Sequence, residues 1–234
     1  MTVAVVVLVR DPRRAKTRLR AALTPWQREA LASAMCDDVV GAAMATGWPV
    51  LVVTDTAAVA KTARAAGADA LVVPARGTRD GARRGLRRVE RDGADAALVL
   101  AADVPLVTPV DLRRVVAAGR RSDVVIVPDR RRSGTNALYL RPPTRLDPRF
   151  GRRSLAAHRA AAGSDGRVLV VARLALDIDT PADLRILRGA KRRAGPRTRA
   201  TLAATYGSGS RTSTFAGLMS STRPRAVGFT SKTR

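Results

Sequence analysis

The sequence predicts a three-layer α/β/α domain built on a mainly parallel sheet. Three observations predict it. Short Val-rich apolar runs recur at residues 3–9, 50–53, 70–73, 96–101, 124–127 and 168–171. Runs of this length suit strands buried on both faces, as parallel sheets require. Helical stretches separate them, so strand and helix alternate along residues 1–188. The helix boundaries are punctuated to match: Thr-Pro pairs at 24–25, 108–109 and 180–181 read as starts, and Gly67 and Gly93 stand where helices should stop.

Taken in order, run 3–9 is the first strand and leads into a basic loop ending at Leu19. Thr24-Pro25-Trp26-Gln27 gives the first helix a capping box and a Pro at its first position; the helix should run to about residue 45. Cys36 lies in its middle beside Met35 and reads as core. Strands at 50–53 and 70–73 flank a helix that Gly67 ends, and a helix ended by Gly93 precedes the strand at 96–101. Thr108 and Thr180 open two more helices, with Asp111 and Asp183 three residues on. An acid in a first turn suits the helix dipole, so both are assigned to capping. The stretch 128–138 reads as a small, polar and cationic link between strands. Ser154 is expected to cap a helix through about residue 162, and His158, the only histidine, to pack or face solvent there.

The chain has 234 residues and a formal net charge of +24, from 43 Lys+Arg against 19 Asp+Glu. Arg accounts for 39 of the 43 bases and Asp for 17 of the 19 acids, a lopsidedness typical of GC-rich coding rather than of a tuned surface. Ten positive charges and no acid fall in residues 189–234, leaving +14 for residues 1–188. The first 188 residues are the expected folded domain. Residues 189–234 are rich in Gly, Ser, Thr, Arg and Pro, include the linker-like Tyr206-Gly207-Ser208-Gly209-Ser210, and are expected to form a disordered tail. One cysteine excludes an intrachain disulfide framework and a Cys-rich zinc module. No apolar run approaches the ~18 residues of a membrane span. Run 3–9 lacks the basic lead of a signal peptide, so a cytoplasmic protein is expected. A nucleic-acid-binding protein acting through the basic tail is the non-enzyme alternative. It is disfavoured by 3% aromatic content and the lack of a reader motif, and it predicts steeply salt-dependent binding.

Ligands of open α/β sheets bind beyond the carboxyl ends of the strands. There the first strand offers Arg10, Arg13, Arg14, Lys16 and Arg18, without the glycines of a P-loop or a dinucleotide fingerprint. Such a loop is either a solvated basic segment or a polyphosphate site, Lys giving a point charge and Arg a fork. Asp103 follows the strand 96–101, placed to hold Mg²⁺ or to bond loop amides. Asp177 and Asp179 flank Ile178; in extended chain they share a side, which suits a shared metal or capping of the next helix. The 128–138 link and the helix start at Ser154 suit a phosphate or carboxylate, or plain turn and cap chemistry. No Ser-His-Asp or Cys-His pair can be assembled.

These segments, in order over about residues 1–188, resemble the guanylyltransferases of coenzyme F-420 biosynthesis, which use 2-phospho-L-lactate or phosphoenolpyruvate. The resemblance rests on Ala15-Lys16-Thr17-Arg18-Leu19, on Asp103-Val104-Pro105-Leu106 running on to Asp111-Leu112, and on Pro128-Asp129-Arg130 with Gly134-Thr135-Asn136-Ala137-Leu138. It continues in Phe150-Gly151 with Ser154 and His158, and in Leu176-Asp177-Ile178-Asp179-Thr180-Pro181. Gly-Thr-Asn-Ala-Leu followed by Phe-Gly-x-x-Ser is its most specific part. Two departures stand out: Arg10 where a lysine is common, and 76–82 without a Gly-Leu-Asn pattern. The resemblance implies a nucleotide-diphospho-sugar transferase-like, Rossmann-like fold, with GTP as donor and Mg²⁺ as cofactor. It implies that Asp103, Asp177 and Asp179 hold the metal and that Thr135, Gly151 and Ser154 bind the phosphorylated three-carbon acid. Lys16 and Arg18 would face the nucleotide phosphates and, with Asp103, carry catalysis. Phosphoenolpyruvate is favoured as acceptor, a related sugar-1-phosphate or cofactor nucleotidyltransferase is the enzyme alternative, and a homodimer is left open.

Overall fold

The computed structural model describes residues 1–74 and 77–207. Its elements in order are β1 (Val3–Val9), α1 (Pro25–Met44), β2 (Val50–Thr54), α2 (Ala57–Ala65), β3 (Asp69–Val72), α3 (Thr78–Arg91) and β4 (Ala96–Ala101). There follow α4 (Pro109–Ala118), β5 (Val124–Pro128), β6 (Thr135–Leu140), α5 (Ser154–Ala162), β7 (Gly166–Val168), α6 (Pro181–Gly189) and α7 (Pro196–Gly207). The strands form one sheet in the order β3-β2-β1-β4-β6-β5-β7. Among the described strands only β6 runs against its neighbours, β4 and β5.

The central Val-rich runs, β1, β2, β4 and β5, bury both faces, whereas β3 lies at a sheet edge and leaves Val72 exposed. Val5, Val7, Leu98, Leu100 and Tyr139 pack with Val39 and Ala43 of α1 and Leu112 and Val115 of α4. On the other side Val6, Val53, Val99, Ile126 and Leu138 meet Leu86 and Val89 of α3 and Leu155 of α5. A parallel sheet covered on both sides is the expected three-layer arrangement. The α3 backbone lies close to the sheet: a Cβ on Gly85 would come within 2.7 Å of Val6 and 2.8 Å of Val53. Thr24, Thr108 and Thr180 each close a full capping box, with Gln27, Asp111 and Asp183 as partners.

Four expectations are corrected. The 128–138 link contains the start of β6, a fully buried strand whose first residues, Thr135 and Asn136, are polar and hide its pattern. The run at 168–171 gives only the end of β7, whose Val168 is exposed because the strand pairs on one side only, as an edge strand; Val170, past its end, is exposed as well. Ser154 is the first helical residue of α5; the cap is Arg153, in a left-handed conformation with no side-chain cap bond. The tail does not begin at Gly189. A 3-10 turn at Lys191–Arg193 leads into α7, which docks on α1. Asp38 of α1 accepts hydrogen bonds from the Arg197 and Thr198 amides at 3.0 and 2.7 Å, capping α7 from another helix, while Ala194 and Leu202 are buried. The remainder of the expected tail, residues 208–234, lies outside the described residues. No described helix is long and apolar enough to cross a membrane.

Candidate functional site

The basic loop leaves β1 through a 3-10 turn at Pro12–Arg14, held by Asp11, whose carboxylate accepts from the Arg13 amide at 3.0 Å and from its guanidinium. Lys16 follows with φ of 56°, a left-handed backbone uncommon for lysine. A second 3-10 turn, Thr17–Leu19, buries Leu19 completely. This geometry drives the Lys16 side chain inward. Its ammonium donates to Asp103 Oδ2 at 2.5 Å and to Asp179 Oδ1 at 2.9 Å. Burial alone would depress the ammonium, but the two carboxylates outweigh it and raise its affinity for the proton. Arg18 stays exposed, 3.9 Å from Asp179.

Asp103 follows β4 and Asp179 precedes α6, so neither is near Lys16 in sequence. What gathers them is a third apolar cluster. Leu19, Leu106, Leu176 and Ile178, each close in sequence to a charged site residue, pack with Leu31 and Met35 of α1, Leu184 and Leu187 of α6, and Leu202 of α7. Asp177 is half-buried nearby. Burial, then the Asp103 charge, pushes its carboxyl up to about 6. Asn136 opposes this by donating to Asp177 Oδ1 at 3.3 Å, while also donating to the Leu174 carbonyl at 2.9 Å. Among the described residues no three His, Cys, Asp or Glu side chains form a ready metal cage. Asp103 and Asp179 converge on the Lys16 ammonium, and Asp177 stands close enough to feel both charges.

β6 divides this charged cluster from a second set of residues. Val127 pairs with Ala137 but Pro128 pairs with Thr135, so Asn136 is an extra residue, a bulge. A regular strand would put Thr135 on the face of Ala137 and Asn136 on the other. The bulge instead sends Asn136 to Leu174 and Asp177, and Thr135 to α5. There the Thr135 hydroxyl lies 3.0 Å from His158 Nδ1, and the Arg149 amide donates to His158 Nε2 at 2.8 Å. Ser154 is one turn before His158 and, like it, buried. The Leu155 amide donates to the Ser133 carbonyl at 3.2 Å, pinning the start of α5 to the loop before β6. Gly151, with φ of 129°, makes the turn into α5 that a side chain would strain. Thr135, Gly151 and Ser154 therefore belong to one joint between β6 and α5.

Some other cations are already committed. Arg130 and Arg131 reach Asp183 at 3.2 Å, so the basic link ties to the α6 cap. Asp111 caps α4 and also pairs with Arg173. Arg10 is exposed and makes no ion pair with the described residues; it lines a depression with Thr54, Asp55, Gly77, Thr78 and Gly81 at the ends of β1 and β2. Cys36 is buried, which pushes its thiol up to about 12 and leaves it inert. Sequence reasoning assigned no role to Asn136. Its signal was a side chain with strong hydrogen-bonding needs heading a buried strand.

Comparison with known proteins adds a family. The model of guanylyl transferases of the CofC-like type matches residues 3–195. The phosphoenolpyruvate guanylyltransferase of Sphaerobacter thermophilus is 41% identical over 194 residues, covering 81% of this chain and 94% of that protein. The 2-phospho-L-lactate guanylyltransferase of Halorubrum lacusprofundi is 36% identical over 184 residues, covering 76% and 81%. Among solved structures, a Desulfovibrio desulfuricans G20 protein assigned as a nucleotide-diphospho-sugar transferase superposes with TM-score 0.70 at 15% identity, over 88% of this chain and 96% of that one. Rv0371c of Mycobacterium tuberculosis, solved with manganese, gives 0.53 at 22% identity over 80% and 98%. At these identities the structures speak for the fold alone, which is the α/β fold expected.

Proposed function

Because the chain belongs to the CofC-like guanylyl transferase family, we propose that it moves GMP from GTP to the phosphate of phosphoenolpyruvate, or of 2-phospho-L-lactate, in coenzyme F-420 biosynthesis in the cytoplasm. The observation that carries this reading is the division made by β6: a cation and carboxylates on one side, a neutral hydrogen-bonding joint on the other. The first suits a triphosphate, the second a small phosphorylated acid. In this reading the nucleoside lies in the depression near Arg10 and Asp55, at the carboxyl ends of β1 and β2. Lys16 and Arg18 meet the phosphates, and Thr135, Gly151 and Ser154 hold the acid. The catalytic unit runs through α7.

The acidic residues fit a divalent ion. Asp103 and Asp179 are hard oxygen donors already converging on one positive charge, and Asp177 is raised by burial first and then by the neighbouring carboxylates. Mg²⁺ is commonly held by one or two carboxylates plus phosphates, so two converging acids suffice. Asp103, Asp177 and Asp179 would hold it, and bound there it supplies neutralisation of charge on the transferring phosphate.

The chain's own residues then position and neutralise. An oxygen of the acceptor's phosphate attacks the α-phosphorus of GTP in line. A new P–O bond forms, the bond from the α-phosphorus to the bridging oxygen breaks, and its electron pair leaves with pyrophosphate. The nucleophile is ionised at neutral pH, so no general base is needed. Lys16 is protonated and cannot act as one; it serves as a fixed cation beside the developing charge. The product joins guanosine to the acid through a diphosphate, one phosphate coming from GTP and one from the acid.

Incubating the full chain with GTP, Mg²⁺ and each acid, and measuring pyrophosphate, tests this. Release with phosphoenolpyruvate or phospholactate is expected. Release with neither acid, or only with a sugar 1-phosphate, overturns it.

A further inference from the structure

His158 lies at the joint between β6 and α5. It is completely buried, and both ring nitrogens are engaged. A backbone amide can only donate, so Nε2, 2.8 Å from the Arg149 amide, must present its lone pair. A neutral imidazole then carries its proton on Nδ1. Burial, then the Arg149 charge, lowers its basicity to about 4, which keeps the ring neutral in the physiological range. Nδ1–H faces the Thr135 hydroxyl at 3.0 Å and donates to it. The hydroxyl has one proton of its own. With its oxygen already accepting from Nδ1–H, that proton must be directed away from the ring. The Phe150 ring meets the imidazole edge to face at 5.1 Å and fixes its plane.

We propose that His158 is the positioning residue of the acceptor site: its Nδ1–H tautomer turns the Thr135 hydroxyl into a dedicated hydrogen-bond donor. The inference rests on the reading of Thr135 as an acceptor contact. A carboxylate or phosphate oxygen only accepts, so a hydroxyl held as a donor matches the phosphorylated acid. The same ring joins all three pieces of that site. It sits on α5, one turn after Ser154; it bonds Thr135 of β6; and it takes the Arg149 amide just before Phe150-Gly151. Moving the ring would displace all three together.

His158 is the chain's only histidine, so ¹⁵N-histidine labelling of the full chain gives one imidazole to read. Proton on Nδ1 and bare Nε2 are expected, with the Nδ1 resonance moving on addition of phosphoenolpyruvate or phospholactate and staying put with GTP alone. In kinetics, His158→Leu and Thr135→Val should each raise the acceptor KM about tenfold with the GTP KM unchanged, and the double variant should add nothing further. His158→Asn places an amide donor where Nδ1–H was and should restore the acceptor KM to within about threefold of wild type. An Nε2–H tautomer, or an active enzyme whose acceptor KM ignores His158→Leu, overturns the proposal. If His158→Leu does not fold, the label and the Asn variant still decide it. A wild-type chain that releases no pyrophosphate with either acid marks failure of the functional reading instead.

Discussion

Lowering the pH from 7 to 4 should cost this fold stability through one residue, and the amount follows from the structure. The buried His158 imidazole has its basicity lowered from 6.5 to about 4, by burial first and then by the Arg149 charge. Between those values the unfolded chain binds a proton that the folded chain refuses. The unfolded state therefore binds more protons, and stability falls as pH falls through this window. At roughly 1.4 kcal/mol for each pH unit, the loss is about 3 kcal/mol. Asp177 works in the opposite sense. Its carboxyl is raised from 3.8 to about 6, by burial and then by the Asp103 charge, so the folded chain takes the proton first and gains stability as pH falls through 6. The two contributions largely cancel in the wild type, and a single pH curve would conceal both. Urea unfolding followed by circular dichroism, on wild type and His158→Asn at pH 7, 6, 5 and 4, separates them. The wild type should lose about 3 kcal/mol relative to the variant over this range, about 1.5 M in midpoint for a typical urea slope of about 2 kcal/mol/M. Asp11, bonded by Arg13, and Asp147, bonded by Arg79 and Arg83, are held below 3.8 and fade only under the window. Parallel curves for the two proteins would refute the reasoning.

Three further outcomes are expected. Asp103→Asn should reduce pyrophosphate release by about 10³-fold or more with an unchanged circular dichroism spectrum, because Lys16 keeps its bond to Asp179; near-normal turnover would remove Asp103 from the site. Lys16→Met leaves Asp103 and Asp179 without their shared cation. Its melting temperature should fall without metal and should rise more than that of wild type when millimolar Mg²⁺ is added, as thermal melts can show. Gly85→Ala pushes a methyl to 2.7 Å from Val6 and 2.8 Å from Val53, and should cost about 1–3 kcal/mol in urea unfolding without altering either substrate's KM.

The framework was legible where one physical rule acted alone. β1 and β4 match their apolar runs to the residue, and the three Thr-Pro starts form the capping boxes that their spacing announces. β6 was not legible, because Thr135 and Asn136 hold positions that a simple strand would fill with apolar side chains. α7 was hidden for another reason: its own apolar face is meagre, and its cap comes from Asp38, about 160 residues earlier. The site shows the same split. The individual carboxylates could be picked out, but not that one ammonium joins Asp103 and Asp179, 87 and 163 residues from Lys16. In the sequence Arg130 and Arg131 read as anion ligands, but in the fold both pair with Asp183. Local pattern cannot say which charges the fold neutralises internally.

The bulge in β6 reaches beyond its own geometry. Thr135 and Asn136 are consecutive, yet they address opposite layers of the molecule, one towards α5 and one towards Asp177. In the proposed reading, a change of side chain at 135 can therefore retune the acceptor's surroundings while those of the nucleotide phosphates stay untouched. Two recognition problems become independently variable within a single dipeptide. The same arrangement makes the strand intolerant of length change: losing Asn136 would restore regular alternation, leave Thr135 facing α5, and remove the side chain that reaches Leu174 and Asp177. Variation among relatives should accordingly appear here as substitution, with the spacing between the Asp129 turn and Ala137 held constant.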